Sequence, residues 1–118
     1  MQAMLMIHSD EAAWGRLPEA EIGRIIAAYG AYAEALIAAG VMRGGERLQP
    51  SATAKRVRVG ASGAEVLDGP YAETREQLGG YYLIEVPDMQ AAVEWAARCP
   101  GAAHGTMEVR PIWQMSAP

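Results

Sequence analysis

The chain has 118 residues, 51% of them apolar, and its 10 Lys and Arg stand against 14 Asp and Glu for a net charge of −4. That balance argues against a nucleic-acid partner, which calls for a basic patch or stripe; Lys55, Arg56 and Arg58 are the only local basic cluster. The lone Cys99 excludes an intramolecular disulfide and a cysteine-built metal knuckle, and no stretch has transmembrane length or the basic start of a signal peptide.

These bounds predict one domain over residues 1–118, in a reducing, cytoplasmic setting and away from membranes.

Residues 3–8 read as a strand, with Ala3, Leu5 and Ile7 on one face and Met4, Met6 and His8 on the other. Both faces are apolar up to His8, the mark of a strand covered on both sides. Helices of so small a domain cover one face, so a second copy of the sheet is expected over the other. Residues 9–17 read as a polar connection in which Trp14 is a hydrophobic lid.

Residues 18–39 predict a helix. Pro18 suits its first position, and Glu19 and Glu21 suit its positive end. Ile22, Ile25, Ile26, Tyr29, Ala33, Leu36 and Ile37 form one stripe, and Gly40-Val41 predicts a Schellman ending folded onto Leu36.

Residues 45–49 predict a short strand closed by Pro50; Gly44-Gly45 is too short for a phosphate loop. Residues 55–59 and 64–67 predict a hairpin turned at Gly60–Gly63, with Val57 and Val59 inward and Arg56 and Arg58 outward. Residues 80–86 predict a strand with Tyr82, Ile84 and Val86 opposite Tyr81, Leu83 and Glu85. Tyr81 and Leu83, with Met4 or Met6, read as the core of a dimer face. Asp88 is a suitable N-cap for a second helix to about Arg98, whose apolar side is Met89, Ala92, Val93 and Ala96. Pro100-Gly101 should stop it, with Cys99 packed and inert at its end. Residues 105–113 predict the last strand, and Ser116–Pro118 a short tail.

Without the hairpin, the order is βαβ-βαβ, the split pattern of a ferredoxin-like α+β sandwich with both helices on one side of an antiparallel sheet. Counting the four principal strands, the spatial order is 4-1-3-2. The end of the first strand then adjoins the beginnings of the third and fourth. His8, Asp10, the loop from Asp68 to Gly80, His104 and Gln49 should therefore meet at one edge.

That loop, Asp68-Gly-Pro-Tyr-Ala-Glu-Thr-Arg-Glu-Gln-Leu-Gly80, carries the densest chemistry in the chain. Asp68 is a candidate general base, or an acceptor closing an Asx-turn on Gly69. Glu73 and Glu76 would share a face if residues 72–76 made a helical turn, and two carboxylates in unlike environments can divide into acid and base. Arg75 would pair with one of them or clamp an anion; otherwise the loop is a solvated turn. His8 is a candidate proton shuttle. Asp10, Gln49, Tyr71, Arg75, Glu76 and His104 are candidate ligand contacts. His8 and His104 with Asp10 or Glu73 have suitable donor types for a divalent ion but lack ligand spacing, so neither metal nor cofactor is expected.

The segment from Asp68 through Val86 resembles the hallmark of the DGPF group of YCII-related proteins, with Tyr71 and Arg75 where that group often has Phe and Lys. Asp10-Glu-Ala-Ala-Trp14, Gly44-Gly-Glu-Arg-Leu-Gln-Pro50 and Val109-Arg-Pro-Ile112 extend the resemblance along nearly the whole chain. It implies a ferredoxin-like fold that pairs sheet to sheet, the dimeric α+β barrel. Smaller relatives carry a proposed His/Asp dyad; the corresponding positions here look like Tyr29 and Ala38, which cannot keep those roles. Some DGPF relatives are associated with extracytoplasmic-function sigma factors.

Three function classes follow: a homodimer that binds a small molecule, with or without catalysis; an adaptor acting on a protein partner; and a scaffold whose dimer is its whole function. The first calls for a partly apolar pocket holding the loop carboxylates, the second for those side chains splayed beside an exposed apolar patch.

Overall fold

The computed structural model describes residues 1–115; the tail expected at Ser116–Pro118 lies outside the described residues. The principal strands are β1 (Gln2–Ser9), β2 (Met42–Arg47), β5 (Gln77–Glu85) and β6 (Thr106–Pro111). They form one antiparallel sheet in the order β2-β5-β1-β6, the expected 4-1-3-2 arrangement read from the other end. β1 lies between β5 and β6, with Leu5 opposite both Tyr82 and Val109. Helices α2 (Glu19–Ala38) and α3 (Met89–Arg98) complete the ferredoxin-like α+β fold.

The core is the layer between helices and sheet. Ala3, Leu5 and Ile84 from the strands meet Tyr32 and Leu36 of α2 and Ala92 and Ala96 of α3. Tyr32 stands edge-on to Tyr82 and Trp95, with centroids 5.3 and 6.3 Å away, and its hydroxyl donates to the Trp95 carbonyl at 2.7 Å. Tyr32 was not on the expected stripe, whereas Ile26 and Ile37 were and are exposed. The buried stripe is rotated toward Ile25, Tyr32 and Leu36.

The helix ends follow local chemistry. Pro18 is the N-cap of α2, one position before the expected one, and its carbonyl accepts from Glu21 and Ile22. At the other end Gly40 takes φ +73°, its N–H donates to the Ile37 carbonyl, and that of Val41 donates to Leu36. That pair of bonds is the Schellman ending. Asp88 caps α3 through the Ala91 N–H.

Two readings are corrected. The connection after β1 contains a helical turn, α1 (Glu11–Trp14), because the Asp10 carboxylate accepts from the Ala12 and Ala13 N–H groups. As expected, α3 stops at Arg98, where Cys99 is extended; after Pro100 a separate short turn follows, α4 (Gly101–His104). β2 runs from Met42 to Arg47 instead of over 45–49, so Gln49 lies beyond its end.

The inserted hairpin, β3 (Lys55–Gly60) and β4 (Gly63–Asp68), is a two-stranded sheet of its own. Val57 and Val59 do not point inward: they are 62% and 80% exposed. Alternation puts them on one face of the ribbon, but among the described residues no other layer lies against that face. The radius of gyration is 16.5 Å, against roughly 13–14 Å for a compact domain of this length.

Candidate functional site

A β-bulge sets the geometry at the end of β1. Ile7 pairs with Gly80 and His8 with Leu78, so Gly79 is an extra residue on β5. Bulges bend a strand and re-aim its side chains, and are frequent beside active sites. Here the bulge lies where β5 leaves the loop that follows the hairpin.

On the loop side of α1 is an open groove of about 540 Å³ lined by Asp10, Ala13, Thr74, Arg75, Glu76 and His104. The topology thus brings together Asp10, the second half of the Asp68–Gly80 loop and His104. Glu76 is held by the Thr106 hydroxyl at 2.7 Å. Gln77, the next residue, accepts from the Glu11 N–H at 3.0 Å and so ties the loop to α1.

The other candidates lie elsewhere. Asp68 does not close an Asx-turn; it pairs with Lys55 across the hairpin and is 83% exposed. Two solvated partners contribute at most about 1 kcal/mol. Residues 72–76 form no helical turn, so Glu73 and Glu76 are not placed on a common helical face; Glu73 is exposed. Tyr71 is 89% exposed and Gln49 is exposed. Arg75 has no carboxylate within 4.0 Å among the described residues. His8 lies on the sheet's outer face, its Nε2 3.2 Å from Glu108 Oε1, and Arg110 holds the other Glu108 oxygen. No cluster of three or more His, Cys, Asp or Glu side chains suited to a metal ion occurs among the described residues.

On the other side of α1 is a larger cavity that sequence reasoning missed. It has a volume of about 660 Å³ and runs between α2 and the ends of β1, β2 and β5. Trp14, Ile26, Tyr29, Leu48 and Tyr82 supply apolar walls. The strands come close together at its floor because Gly45 and Gly80 lack side chains. A Cβ on Gly45 would meet Tyr82 Cδ1 and the Tyr81 carbonyl at 2.9 Å, and one on Gly80 would meet the Glu46 carbonyl at 2.8 Å. The signal in the sequence was the two glycine pairs, Gly44-Gly45 and Gly79-Gly80, which enter one sheet only through β2–β5 pairing, with Gly45 opposite Tyr82 and Gly80 opposite Arg47.

Glu11 braces the mouth. Its carboxylate accepts from the Ser51 N–H at 2.8 Å and the Ser51 hydroxyl at 2.7 Å, which fixes the short 3-10 turn Ser51–Thr53 against α1. The Arg47 guanidinium lies 5.6 Å from the Trp14 ring centroid, a cation–π contact at the same rim. Burial raises the Tyr29 phenol well above the usual tyrosine range and raises that of Tyr82 too, so both are neutral at physiological pH. Burial likewise pushes the Cys99 thiol up, as expected of a packed and unreactive cysteine.

The YCII-related domain model matches residues 1–116. The chain belongs to the YCII-related family. An uncharacterized protein of Rhizobium meliloti (strain 1021) is 32% identical to this YCII-related chain over 110 residues, covering 92% of the chain and 89% of that protein. In this YCII-related domain, Tyr29, which resembles the position of the proposed histidine of smaller relatives, is a half-buried wall of the cavity; Ala38 is exposed at the end of α2. No helix of the described residues is long and apolar enough to cross a membrane.

Proposed function

We propose that this protein binds a small molecule in the cavity beneath α2 and acts as a homodimer of the DGPF type. The cavity carries the reading. Its volume of about 660 Å³ falls within the range of ordinary ligand sites, which are mostly apolar with a few placed polar groups. Its walls are aromatic and aliphatic, and its rim has one braced carboxylate and one cation. The adjoining groove adds Asp10, Arg75, Glu76 and His104 as polar contacts for a molecule that extends past α1. Among the residues named from sequence as catalytic, Asp68, Glu73 and His8 lie outside both hollows, so the support is for binding ahead of catalysis.

The dimer has its own support. Met4, Met6, Tyr81 and Leu83 share the outer sheet face and are only partly buried, with both main helices packed on the other face. A second sheet laid over them would give β1 the two-sided cover its composition asks for. A single reduced cysteine is in keeping with a cytoplasmic protein.

The test is a thermal-shift screen with the wild type and with Ile26→Trp, a change at a half-exposed position that fills the cavity. Compounds that raise Tm in the wild type and not in the variant are expected. Compounds acting equally on both, or none acting on either, would remove the reading.

A second reading, an adaptor for a protein partner such as a component of an extracytoplasmic-function sigma factor system, is favoured by the hairpin. Val57, Val59, Val66 and Leu67 are all more than half exposed on this arm, as is Tyr71 in the loop just after it. Exposed apolar patches mark interaction surfaces. Co-elution with such a factor, lost in Val59→Asp, would support it; co-elution unaffected by that change would not.

A further inference from the structure

The rim of the cavity has an unequal distribution of charge. Among its lining residues, Glu11, Glu46 and Arg47 carry formal charge. Glu11 already spends both oxygens on Ser51. Glu46 pairs with Tyr81 on β5, and strand alternation turns its side chain to the outer sheet face. Arg47 pairs with Gly80, two residues from Tyr82 and on the same inner face. Its guanidinium lies over the Trp14 ring, 5.6 Å from the centroid, and has no carboxylate within 4.0 Å among the described residues.

We infer that the occupant of this cavity is an organic anion: a flat, mainly apolar body between Trp14, Tyr29 and Tyr82 with one carboxylate or equivalent group on Arg47. The inference rests on the cavity being a small-molecule site and adds the chemical class. The cation–π contact with the indole holds the guanidinium at the mouth, so its donors are at hand before the anion arrives. A carboxylate can then accept two parallel hydrogen bonds. The aromatic walls favour flat, offset or edge-on packing. The neutral Tyr29 and Tyr82 phenols add no negative charge to oppose the ligand. A cationic ligand would meet Arg47 with no free carboxylate to offset it.

The experiment compares 1-naphthoate with its neutral counterpart 1-naphthamide by isothermal titration calorimetry, with the ¹⁵N-labelled indole resonance of Trp14 as the locator. The wild type should bind naphthoate about tenfold more tightly than the amide, as expected of an oriented charge-assisted pair. Arg47→Gln should bring naphthoate down to the level of the amide and leave the amide unchanged. Ile26→Trp should weaken both. Equal affinity for the two compounds, or a preference for naphthoate that survives Arg47→Gln, would overturn the anion assignment while leaving the cavity a binding site. Neither compound giving heat or moving the Trp14 resonance at millimolar concentration would overturn the cavity reading itself.

Discussion

Valines alternate with arginines in β3 much as Leu5 alternates with Met4 and Met6 in β1, yet Leu5 is fully buried and Val59 is 80% exposed. The difference lies in what is stacked above. β1 sits between two strands and beneath two helices, so its inner face is sealed by Leu36, Ala92 and Ala96. β3 has one strand beside it and, among the described residues, no layer over its apolar face. Alternation states which side chains share a face; it is silent on whether that face is covered. A lone two-stranded ribbon is only marginally stable in water, so the hairpin's apolar side chains make sense against a second copy or a partner.

The comparison is broken most severely in the body. Leu5→Ala leaves a void in a sealed layer and should destabilise by about 3 kcal/mol, measured by urea unfolding. A value below about 1 kcal/mol would mean that the layer is loosely packed and the contrast with the hairpin overstated.

Alkaline pH acts on the same layer. Burial raises the Tyr29, Tyr32 and Tyr82 phenols in the folded state. Above about pH 10 the unfolded chain therefore loses protons that the folded chain keeps, and stability falls as pH rises. The stabilising contribution is fully present below that pH. Thermal melts from pH 8 to 11 should show Tm dropping beyond pH 10, with tyrosinate absorbance from these three appearing together with unfolding. Their titration well before unfolding would show that the core admits water.

Tyr32→Phe keeps both edge-on contacts and removes the hydrogen bond to the Trp95 carbonyl. The expected loss is about 1 kcal/mol, read by the same unfolding curves.

The smallest effect belongs to the hairpin. Val59→Asp should change the stability of the isolated chain by no more than about 0.5 kcal/mol, as for other exposed positions. Light scattering sharpens this. If a second copy covers the hairpin, Val59→Asp weakens the dimer, and Met6→Glu on the outer sheet face abolishes it. A wild type that is monomeric at micromolar concentration would remove the dimer and leave β1's outer methionines without a reason.

Much of the fold could be read from local pattern. Period 3.6 marked α2, Asp88 marked the start of α3, and Gly40-Val41 marked the Schellman ending, because each is set by residues within one or two turns. The split βαβ order led to the strand arrangement, since few topologies accommodate it. The groove at Asp10, Arg75, Glu76 and His104 followed from that arrangement. The cavity did not, because it lies between Ile26 and Trp14 and a pair of strands whose register sets Gly45 opposite Tyr82 and Gly80 opposite Arg47.

Chain order and periodicity thus carried the elements, their caps and the sheet order, all governed by short-range sterics and hydrogen bonding. Packing in three dimensions alone decided that Tyr32 rather than Ile26 enters the core, that Asp68 turns to Lys55 and solvent, and that Arg47 stands over Trp14 at the mouth of an apolar hollow. Each of those outcomes depends on which surfaces face one another across the fold, a relation between distant residues that no local window contains.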